Sequence, residues 1–295
     1  MLTIEPRPAA LELDGLTVGR LLPWVRRRMV GPFIFFDVMG PTDLGPGLAM
    51  DVRPHPHIGL ATVTYLFEGE IVHRDSLGCT QVIRPGEINW MTAGRGIAHS
   101  ERTPDAIRER GGRLHGLQLW VALPVDAEEH APMFDHFEGD ALPMSTIDGV
   151  RVRLLAGTGY GMTSPVPALS PLVYAELHVP AGASLPWPGE HPEVGVYIVE
   201  GNLGDLAARM LHVFDDERPS LRADVDTHVM LIGGTGFPEK RHIYWNFVSS
   251  SRDRIEQAKT EWIERRFPVV VGDEIEFVPL PPERLSMTRK ASDTV

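Results

Sequence analysis

The chain has 295 residues, and its 28 Lys and Arg against 40 Asp and Glu give a formal charge of −12 with neutral histidines. This acidic balance argues against direct nucleic-acid binding, because phosphate groups require neutralising Lys and Arg. The 43% apolar content is enough for a hydrophobic core, and 29 Gly with 26 Pro predict many tight turns.

The N-terminal segment MLTIEPRPAALELDG lacks the features of a secretion signal, because acids and prolines interrupt the apolar stretch that a signal needs. No run of about 18 apolar residues occurs, so no membrane span is predicted. The single cysteine, Cys79, excludes an intramolecular disulfide and fits a reducing compartment. We therefore expect a cytoplasmic protein that does not contact membranes.

Short apolar segments rich in Val, Ile, Leu and aromatic residues recur along the chain, separated by Gly, Pro and Asp. Each segment is too short for a typical helix, so the pattern predicts a mainly β fold of the sandwich or barrel type. The predicted strands are Leu60–Phe67, Thr80–Ile83, Glu87–Met91, Leu114–Leu123, Arg151–Leu155, Leu172–Val179, Val194–Val199, His228–Ile232 and Ile243–Val248.

A weak internal repeat relates residues 55–70 to residues 190–202, since both run His-Pro, an apolar strand and then Glu-Gly. The repeat predicts two similar β-domains, which we place at residues 1–134 and 135–295. One helix is predicted in the second range, within SSSRDRIEQAKTEWIERRFP, after serines that can serve as N-caps. The apolar residues that fall on one face of this helix are Ile255, Ala258, Trp262 and Ile263.

The segment Arg53-Pro54-His55-Pro56-His57 is the first candidate for chemistry. Residues two apart on an extended chain point to the same side of a sheet, so His55 and His57 can present two imidazoles to one point. The prolines stiffen the segment and confine it to an edge, a bulge or the start of a strand. Neutral imidazole is the commonest metal ligand, but a lone His-x-His is also compatible with surface histidines.

A second motif, His99-Ser100-Glu101, follows a glycine-rich turn about 40 residues later and again places two polar side chains on one strand face. Together the two motifs supply three imidazoles and one carboxylate. Around a divalent ion this set has a net charge of +1, and an octahedral metal would keep two open positions. Nitrogen and oxygen ligands without thiolate suit Fe(II), Mn, Ni, Co, Cu(II) or Zn.

These motifs resemble the first and second motifs of a cupin barrel, and the surrounding sequence closely resembles the pirin family. The similar segments are PFIFFDVMGP, HPHIGLATVTYLFEG, PGEINWMTAGRGIAHSE, HGLQLWVALP and RHIYWNFVSSSRDRIEQAKTEWIERRFP. The resemblance implies two cupin (jelly-roll) barrels face to face, with a metal, usually Fe, in the N-terminal barrel alone. The ligands of the family map onto His55, His57, His99 and Glu101.

Two positions depart from the pirin pattern. Ala61 stands where many relatives carry Glu four residues after the second histidine, and we expect it to alter the surroundings of the ligands without removing the metal. Arg53 stands where relatives often carry Asp. Its charge could depress the pKa of a nearby acid or attract an anionic substrate, but a solvated rim position is the favoured interpretation.

The second predicted barrel lacks the ligand set, so we expect it to be metal-free. His191 and Glu193 echo the first motif, but no His-x-Glu follows, and His178 and His228 are interpreted as isolated core or surface residues. In the first barrel, His115 and Gln118 lie on a predicted strand and are candidates for contacts behind the ligands.

Two functions remain open. Some bacterial pirins open the flavonol quercetin with O₂, and the resemblance implies a similar dioxygenase, in which Glu101 holds the metal and can accept the substrate hydroxyl proton. Phe33, Phe35, Trp90 and Met91 would stack on the aromatic substrate, or belong to the core. The animal pirin is similar to a redox-responsive nuclear cofactor, so the alternative is a non-enzymatic metal or redox sensor that acts through a protein partner.

Overall fold

The computed structural model describes residues 1–8 and 18–282, and most of the regular structure in those ranges is β, which confirms the predicted fold class. No helix in this part of the chain is long and apolar enough to cross a membrane. The elements are β1 (Leu2–Ile4), β2 (Arg7–Pro8), β3 (Val18–Leu22), β4 (Phe33–Leu44), β5 (Asp51–His57), β6 (Leu60–Glu68), β7 (Ile71–Asp75), β8 (Thr80–Ile83), β9 (Ile88–Thr92), β10 (Ile97–Arg102), α1 (Asp105–Arg110), β11 (Gly112–Ala122), a 3-10 turn (Val125–Ala127), β12 (Met133–Phe137), β13 (Met144–Ile147), β14 (Val150–Gly159), β15 (Met162–Thr163), β16 (Leu172–Val179), β17 (Glu193–Glu200), β18 (Asn202–Leu203), β19 (Leu206–Ala207), β20 (Leu211–Phe214), β21 (Thr227–Gly234), β22 (His242–Tyr244), β23 (Phe247–Ser249) and α2 (Arg252–Ile263).

Two sheets form the first barrel. A seven-stranded sheet has the order β12-β9-β6-β11-β4-β3-β2, and a four-stranded sheet has the order β5-β10-β7-β8. A buried apolar cluster joins them, with Met39 and Leu66 from the larger sheet and Ile71 and Ile83 from the smaller. The two sheets therefore share a core of their own.

The second barrel is built on one large sheet with the order β1-β20-β17-β21-β16-β14-β13, and β15 pairs with β14. Its interior is filled mainly by aliphatic side chains, such as those of Val152, Leu177, Val196 and Leu231, each of which is 0% exposed. Burial of this apolar surface is the main source of stability for such a layer. No titratable cluster occupies the interior among the described residues.

The two barrels pack through the seven-stranded sheet of the first and the large sheet of the second. Successive side chains on a strand point to opposite faces, so Ala61, Val63 and Tyr65 of β6 join the cluster between the barrels. Rings from both sides meet there, with 5.3 Å between the centroids of Phe36 and Tyr197. The other face of the same strand carries Thr62 and Thr64 into the first barrel.

The described strands do not divide cleanly at the predicted domain boundary. β1 pairs with β20 of the second barrel, although it lies in the predicted first range. β12 spans the predicted boundary at residues 134 and 135, and it pairs with β9 of the first barrel. The boundary itself stays a prediction.

Helix α2 packs on the first barrel, although the predicted range assigned it to the second. Its N-cap is Ser251, whose side chain accepts a hydrogen bond from the Arg254 backbone, as the sequence predicted. Trp262 contacts Phe267, and both belong to a cluster with Ile58 and Ala98 of the first barrel. The prediction that Ile263 lies on the buried face was wrong, because it ends the helix and is 64% exposed.

The segment predicted as one strand at Ile243–Val248 is a hairpin. Tyr244 of β22 pairs with Phe247 of β23, and Trp245 and Asn246 form the turn between them. Trp245 has a φ of 52°, in the left-handed region, which a continuous strand does not allow. The strand prediction was wrong because the turn lies within a mainly apolar segment that contains no Gly or Pro to mark it.

We predict that Trp262→Ala destabilises the protein by about 3–5 kcal/mol, because it removes a buried indole from the α2 cluster. It also removes the donor of the hydrogen bond from Nε1 to the Val278 carbonyl. Urea unfolding measures the free energy. Ile263→Ala is the matched control on the same helix and should change stability by no more than about 0.5 kcal/mol. Equal effects of the two substitutions would contradict the packing of α2.

Candidate metal centre

Strands β5 and β10 bring three histidines together inside the first barrel. His55 and His57 share one face of β5, and β10 pairs antiparallel with that strand so that His99 lies opposite His55. One nitrogen of each ring lies within 4.8 Å of the corresponding nitrogens of the other two. All three residues are buried, and His57 and His99 are each 1% exposed.

The two prolines shape this strand. β5 is the edge of the four-stranded sheet, where a missing backbone N–H is tolerated. The pairing with β10 shifts register between His99 and Glu101, since His99 faces His55 but Glu101 faces Val52. The extra residue therefore lies on β5, at Arg53-Pro54, as in a β-bulge. The prolines predicted an edge strand, a bulge or the start of a strand, and the structure shows both the edge strand and the bulge.

The histidines present nitrogen lone pairs that no protein group satisfies. His55 Nδ1 lies 2.9 Å from the Arg53 carbonyl, to which it can only donate, so its Nε2 carries the lone pair. His57 Nδ1 and His99 Nε2 are buried without a hydrogen-bond partner. Leaving a buried polar atom unsatisfied costs about 1–3 kcal/mol, which coordination to a metal ion would offset. The donor set therefore fits a metal.

Burial also keeps these imidazoles neutral. It lowers the pKa of His55 to about 4, and a backbone hydrogen bond at Arg53 opposes the shift. Burial, followed by repulsion from neighbouring histidines, lowers the pKa values of His57 and His99 well below the usual range. Only the neutral ring can act as a ligand, so the three are ready to bind metal at neutral pH.

His73 and Asp75 stand behind His99, and neither was predicted from the sequence to take part in the site. They lie on β7, which pairs with β10. Their proximity to His99 therefore depends on strand pairing and cannot be recognised from spacing along the chain. His73 Nε2 lies 3.0 Å from Asp75 Oδ2, and His73 Nδ1 lies 3.4 Å from His99 Nδ1. Asp75 can only accept as a carboxylate, so His73 accepts from His99 Nδ1–H. This chain of hydrogen bonds leaves the lone pair of His99 on Nε2.

Glu101 lines the same cavity but does not belong to the three-histidine cluster. Its Oε1 lies 3.3 Å from the Thr64 hydroxyl, which also lies 2.9 Å from Gln118 Oε1. The hydroxyl has one proton and can serve one of them at a time. Burial raises the pKa of Glu101 to about 7, and the Thr64 contact lowers it. Its role as a fourth ligand stays a proposal.

The cavity in front of the histidines has a volume of about 110 Å³ and mostly apolar walls. Phe35 stacks on Trp120 at 3.9 Å, and the Trp120 ring meets the edge of His57. Of the four aromatic and Met candidates from the sequence, Phe35 alone lines the cavity. Phe33 and Trp90 lie between the barrels, and Met91 packs behind Phe35 and Trp120. Trp90 and Met91 are neighbours on β9 and point to opposite faces, whereas Phe33 and Phe35 are separated by a register shift where β4 pairs with β11.

Residues from the C-terminal part of the chain close the cavity on its outer side. Trp245 and Asn246 of the β22–β23 turn contribute to its wall, as does Val278, whose N–H donates to the Pro54 carbonyl. Asp37 also lines the cavity and accepts two hydrogen bonds of 2.8 Å from Arg20. Burial raises the pKa of Asp37, and Arg20 opposes this shift.

The remaining residues that the sequence suggested differ in whether they line the cavity in front of the histidines. Gln118 lines the cavity, whereas His115 lies at a separate cavity between the barrels. Ala61 faces the core between the barrels, so the expectation that it alters the surroundings of the ligands was wrong. Arg53 is exposed, which agrees with a rim position. In the second barrel, Glu193 accepts a hydrogen bond from the Gly31 backbone and takes no part in a ligand cluster.

Comparisons with known proteins agree with this architecture. The Pirin family matches residues 16–121, and the Pirin C-terminal cupin domain matches residues 174–268. A pirin-like protein of Caulobacter vibrioides is 49% identical over 278 residues, which cover 92% of this chain and 96% of that protein. The prediction of two cupin barrels is confirmed.

Solved structures show the same fold. A quercetin 2,3-dioxygenase of Acinetobacter baumannii superposes with a TM-score of 0.86 and 33% identity, covering 96% of each chain. The Escherichia coli pirin YhhW in complex with nickel(II) superposes with a TM-score of 0.63 and 17% identity, covering 80% of this chain and 99% of that one. At that identity the second likeness concerns the fold alone.

We predict that Asp75→Asn weakens metal binding by roughly 10–100-fold, the usual effect of losing a partner behind a ligand. The amide can donate to His73, which would move the His73 proton to Nδ1 and force His99 to carry its own proton on Nε2. Isothermal titration of the chelator-treated protein with Fe(II) under anaerobic conditions measures the affinity. Asp37→Asn lines the same cavity and should leave the affinity near that of the wild type. An unchanged affinity in Asp75→Asn would exclude the relay.

Proposed function

The chain belongs to the pirin family, and from this premise we propose that it is a metal-dependent cupin oxidoreductase that opens a flavonol-like aromatic substrate with O₂. The observation that carries the proposal is the set of three buried imidazoles whose lone pairs converge on an aromatic-walled cavity. Likeness to a quercetin 2,3-dioxygenase supports the reaction class.

In this proposal His55, His57, His99 and Glu101 hold the metal. Iron is the preferred ion, and Mn, Co, Ni, Cu and Zn are alternatives that the same nitrogen and oxygen donors suit. When bound, the ion would supply the positive charge that favours an ionised substrate hydroxyl and the redox chemistry needed with O₂.

The residues of the chain have three further tasks. Phe35 and Trp120 offer an apolar wall against which an aromatic ring can pack, and the stacked pair fixes the orientation of that wall. Glu101 stands beside the histidines, where it can accept the substrate hydroxyl proton. The surrounding apolar side chains keep bulk water away from the reacting ring.

The size of the cavity bears on the substrate. A cavity of about 150 Å³ holds a benzene ring, so the 110 Å³ next to the histidines suits at most one ring of a flavonol. We infer that one ring enters and that the others remain outside. Trp245 and Val278 line the outer side of the cavity, and their side chains would have to move to admit a larger substrate.

The alternative is a non-enzymatic metal or redox sensor that acts through a protein partner. The burial of His57 and His99, at 1% exposure each, favours it, because a nearly closed site limits access for a substrate. We place either function in the cytoplasm, as the lone cysteine suggests.

Anaerobic reconstitution with Fe(II), followed by quercetin and O₂, tests the proposal through the loss of flavonol absorbance and the release of carbon monoxide. We expect turnover by the wild type and by His136→Ala, whose histidine lies outside the cavity and hydrogen-bonds Asn89. Glu101→Gln should lower turnover by about 10²–10⁴-fold. The metal content of Glu101→Gln shows which role Glu101 has. The variant would lose the ion if Glu101 is a required ligand, and it would keep the ion if Glu101 acts only as a base. Absence of turnover with Fe, Mn, Co, Ni and Cu would reject the quercetinase proposal and favour the sensor.

A further inference from the structure

A second cavity, of about 690 Å³, lies where the two barrels meet. Tyr65 and Phe67 of β6 and His115 of β11 line it from the first barrel, and side chains of β16 and β21 line it from the second. Tyr65 is on the opposite face of β6 from Thr64, which contacts Glu101. The seven-stranded sheet therefore separates this cavity, here called the seam cavity, from the candidate metal centre.

Three potential ligands converge at the wall of the seam cavity. Glu176 and His178 are two apart on β16 and share one face, and antiparallel pairing places His228 of β21 opposite His178. One donor atom of each residue lies within 4.8 Å of the other two. Glu176 Oε1 lies 2.9 Å from His228 Nε2 and 3.8 Å from His178 Nε2.

We propose that Glu176, His178 and His228 form a second metal site, which takes a divalent transition ion of the Zn²⁺ type. Nitrogen and oxygen ligands each lie about 2.0–2.2 Å from zinc, so two ligands of one tetrahedral ion lie about 3.3–3.6 Å apart. The two distances from Glu176 Oε1 bracket this range, and small side-chain rotations bring both into it. Two histidines and one glutamate are also a ligand set of catalytic zinc sites, which keep an open position.

The surroundings of Glu176 leave one oxygen available to the ion. Its Oε2 accepts a hydrogen bond of 2.9 Å from the Tyr65 hydroxyl, and Arg153 Nη1 lies 3.5 Å from the same oxygen. These partners fix the carboxylate and direct Oε1 toward both imidazoles. Groups that hydrogen-bond a ligand in this way orient it for the metal.

The two imidazoles are arranged as a pair. Their rings are parallel within 8° and their centroids are 4.5 Å apart, so both Nε2 atoms face the same carboxylate oxygen. Because the lone pair of an imidazole lies in the plane of its ring, one of these parallel rings must rotate before both Nε2 atoms can bind the same ion.

The open position of the ion would face the seam cavity. The wall of this cavity carries charges of both signs, since Arg113 pairs with Glu68 at 2.8 Å and Arg209 and Glu200 line it as well. The site would lie on the outer face of the second barrel. The site is separate from the aliphatic interior of that barrel, and a metal bound there would contradict the prediction that the second barrel is metal-free.

Zinc stoichiometry separates the two sites. Chelator-treated protein is equilibrated with Zn²⁺, passed over a desalting column and analysed for metal per chain. We expect two ions in the wild type, one in His178→Ala/His228→Ala, and one in His57→Ala/His99→Ala. The combination of all four substitutions should bind none. The control, His191→Ala, removes a second-barrel histidine that hydrogen-bonds the Thr158 carbonyl, and it should bind as many ions as the wild type.

An unchanged zinc content in His178→Ala/His228→Ala, relative to wild type, would overturn the second site and leave a hydrogen-bonded His–Glu network. The conservative variant His178→Gln/His228→Gln, checked by circular dichroism, excludes misfolding as the cause of a loss. Failure of the first site would have a different signature, because the wild type would then bind one ion that depends on His178 and His228.

Discussion

The alternation of side chains across the seven-stranded sheet is the constraint on which the rest of the structure depends. The central strands β4, β6, β9 and β11 each contribute to two environments, the interior of the first barrel and the contact with the second. On β6, Thr64 faces Glu101 in one, and Tyr65 hydrogen-bonds Glu176 in the other. A shift of one residue in register would exchange the two sets and destroy both.

The same sheet forms one wall of the candidate metal centre, through Phe35, Gln118 and Trp120. Burying three neutral imidazoles with unpaired nitrogens is unfavourable, and the apolar core around them must offset this cost. The supports come from several parts of the chain: the bulge at Arg53-Pro54, the Asp75–His73 pair, and the C-terminal turn at Trp245. Support of one cluster of titratable side chains by several separate segments is typical of a functional site and not of a structural core.

The candidate histidines could be recognised from the sequence because period-two spacing within one strand is a local property. His55 with His57, and the position of His99, could be read directly from the chain. Contacts between strands could not, since they depend on register, and so His73 and the grouping of His178 with His228 were missed. Which candidate aromatic faces the cavity also depends on strand phase, so the sequence left open whether Phe33 and Trp90 contact a substrate or belong to the core. The turn at Trp245 could not be predicted because the segment around it is mainly apolar and has no Gly or Pro.

The central claim is that the lone pairs of His55, His57 and His99 converge on one bound metal. The most direct measurement is an anomalous difference map, collected at the iron absorption edge, from crystals of the Fe(II)-reconstituted protein. The account predicts a strong peak between the three imidazoles, with the Glu101 carboxylate beside it. Crystals whose iron content is verified but whose map shows no peak at that point would contradict it.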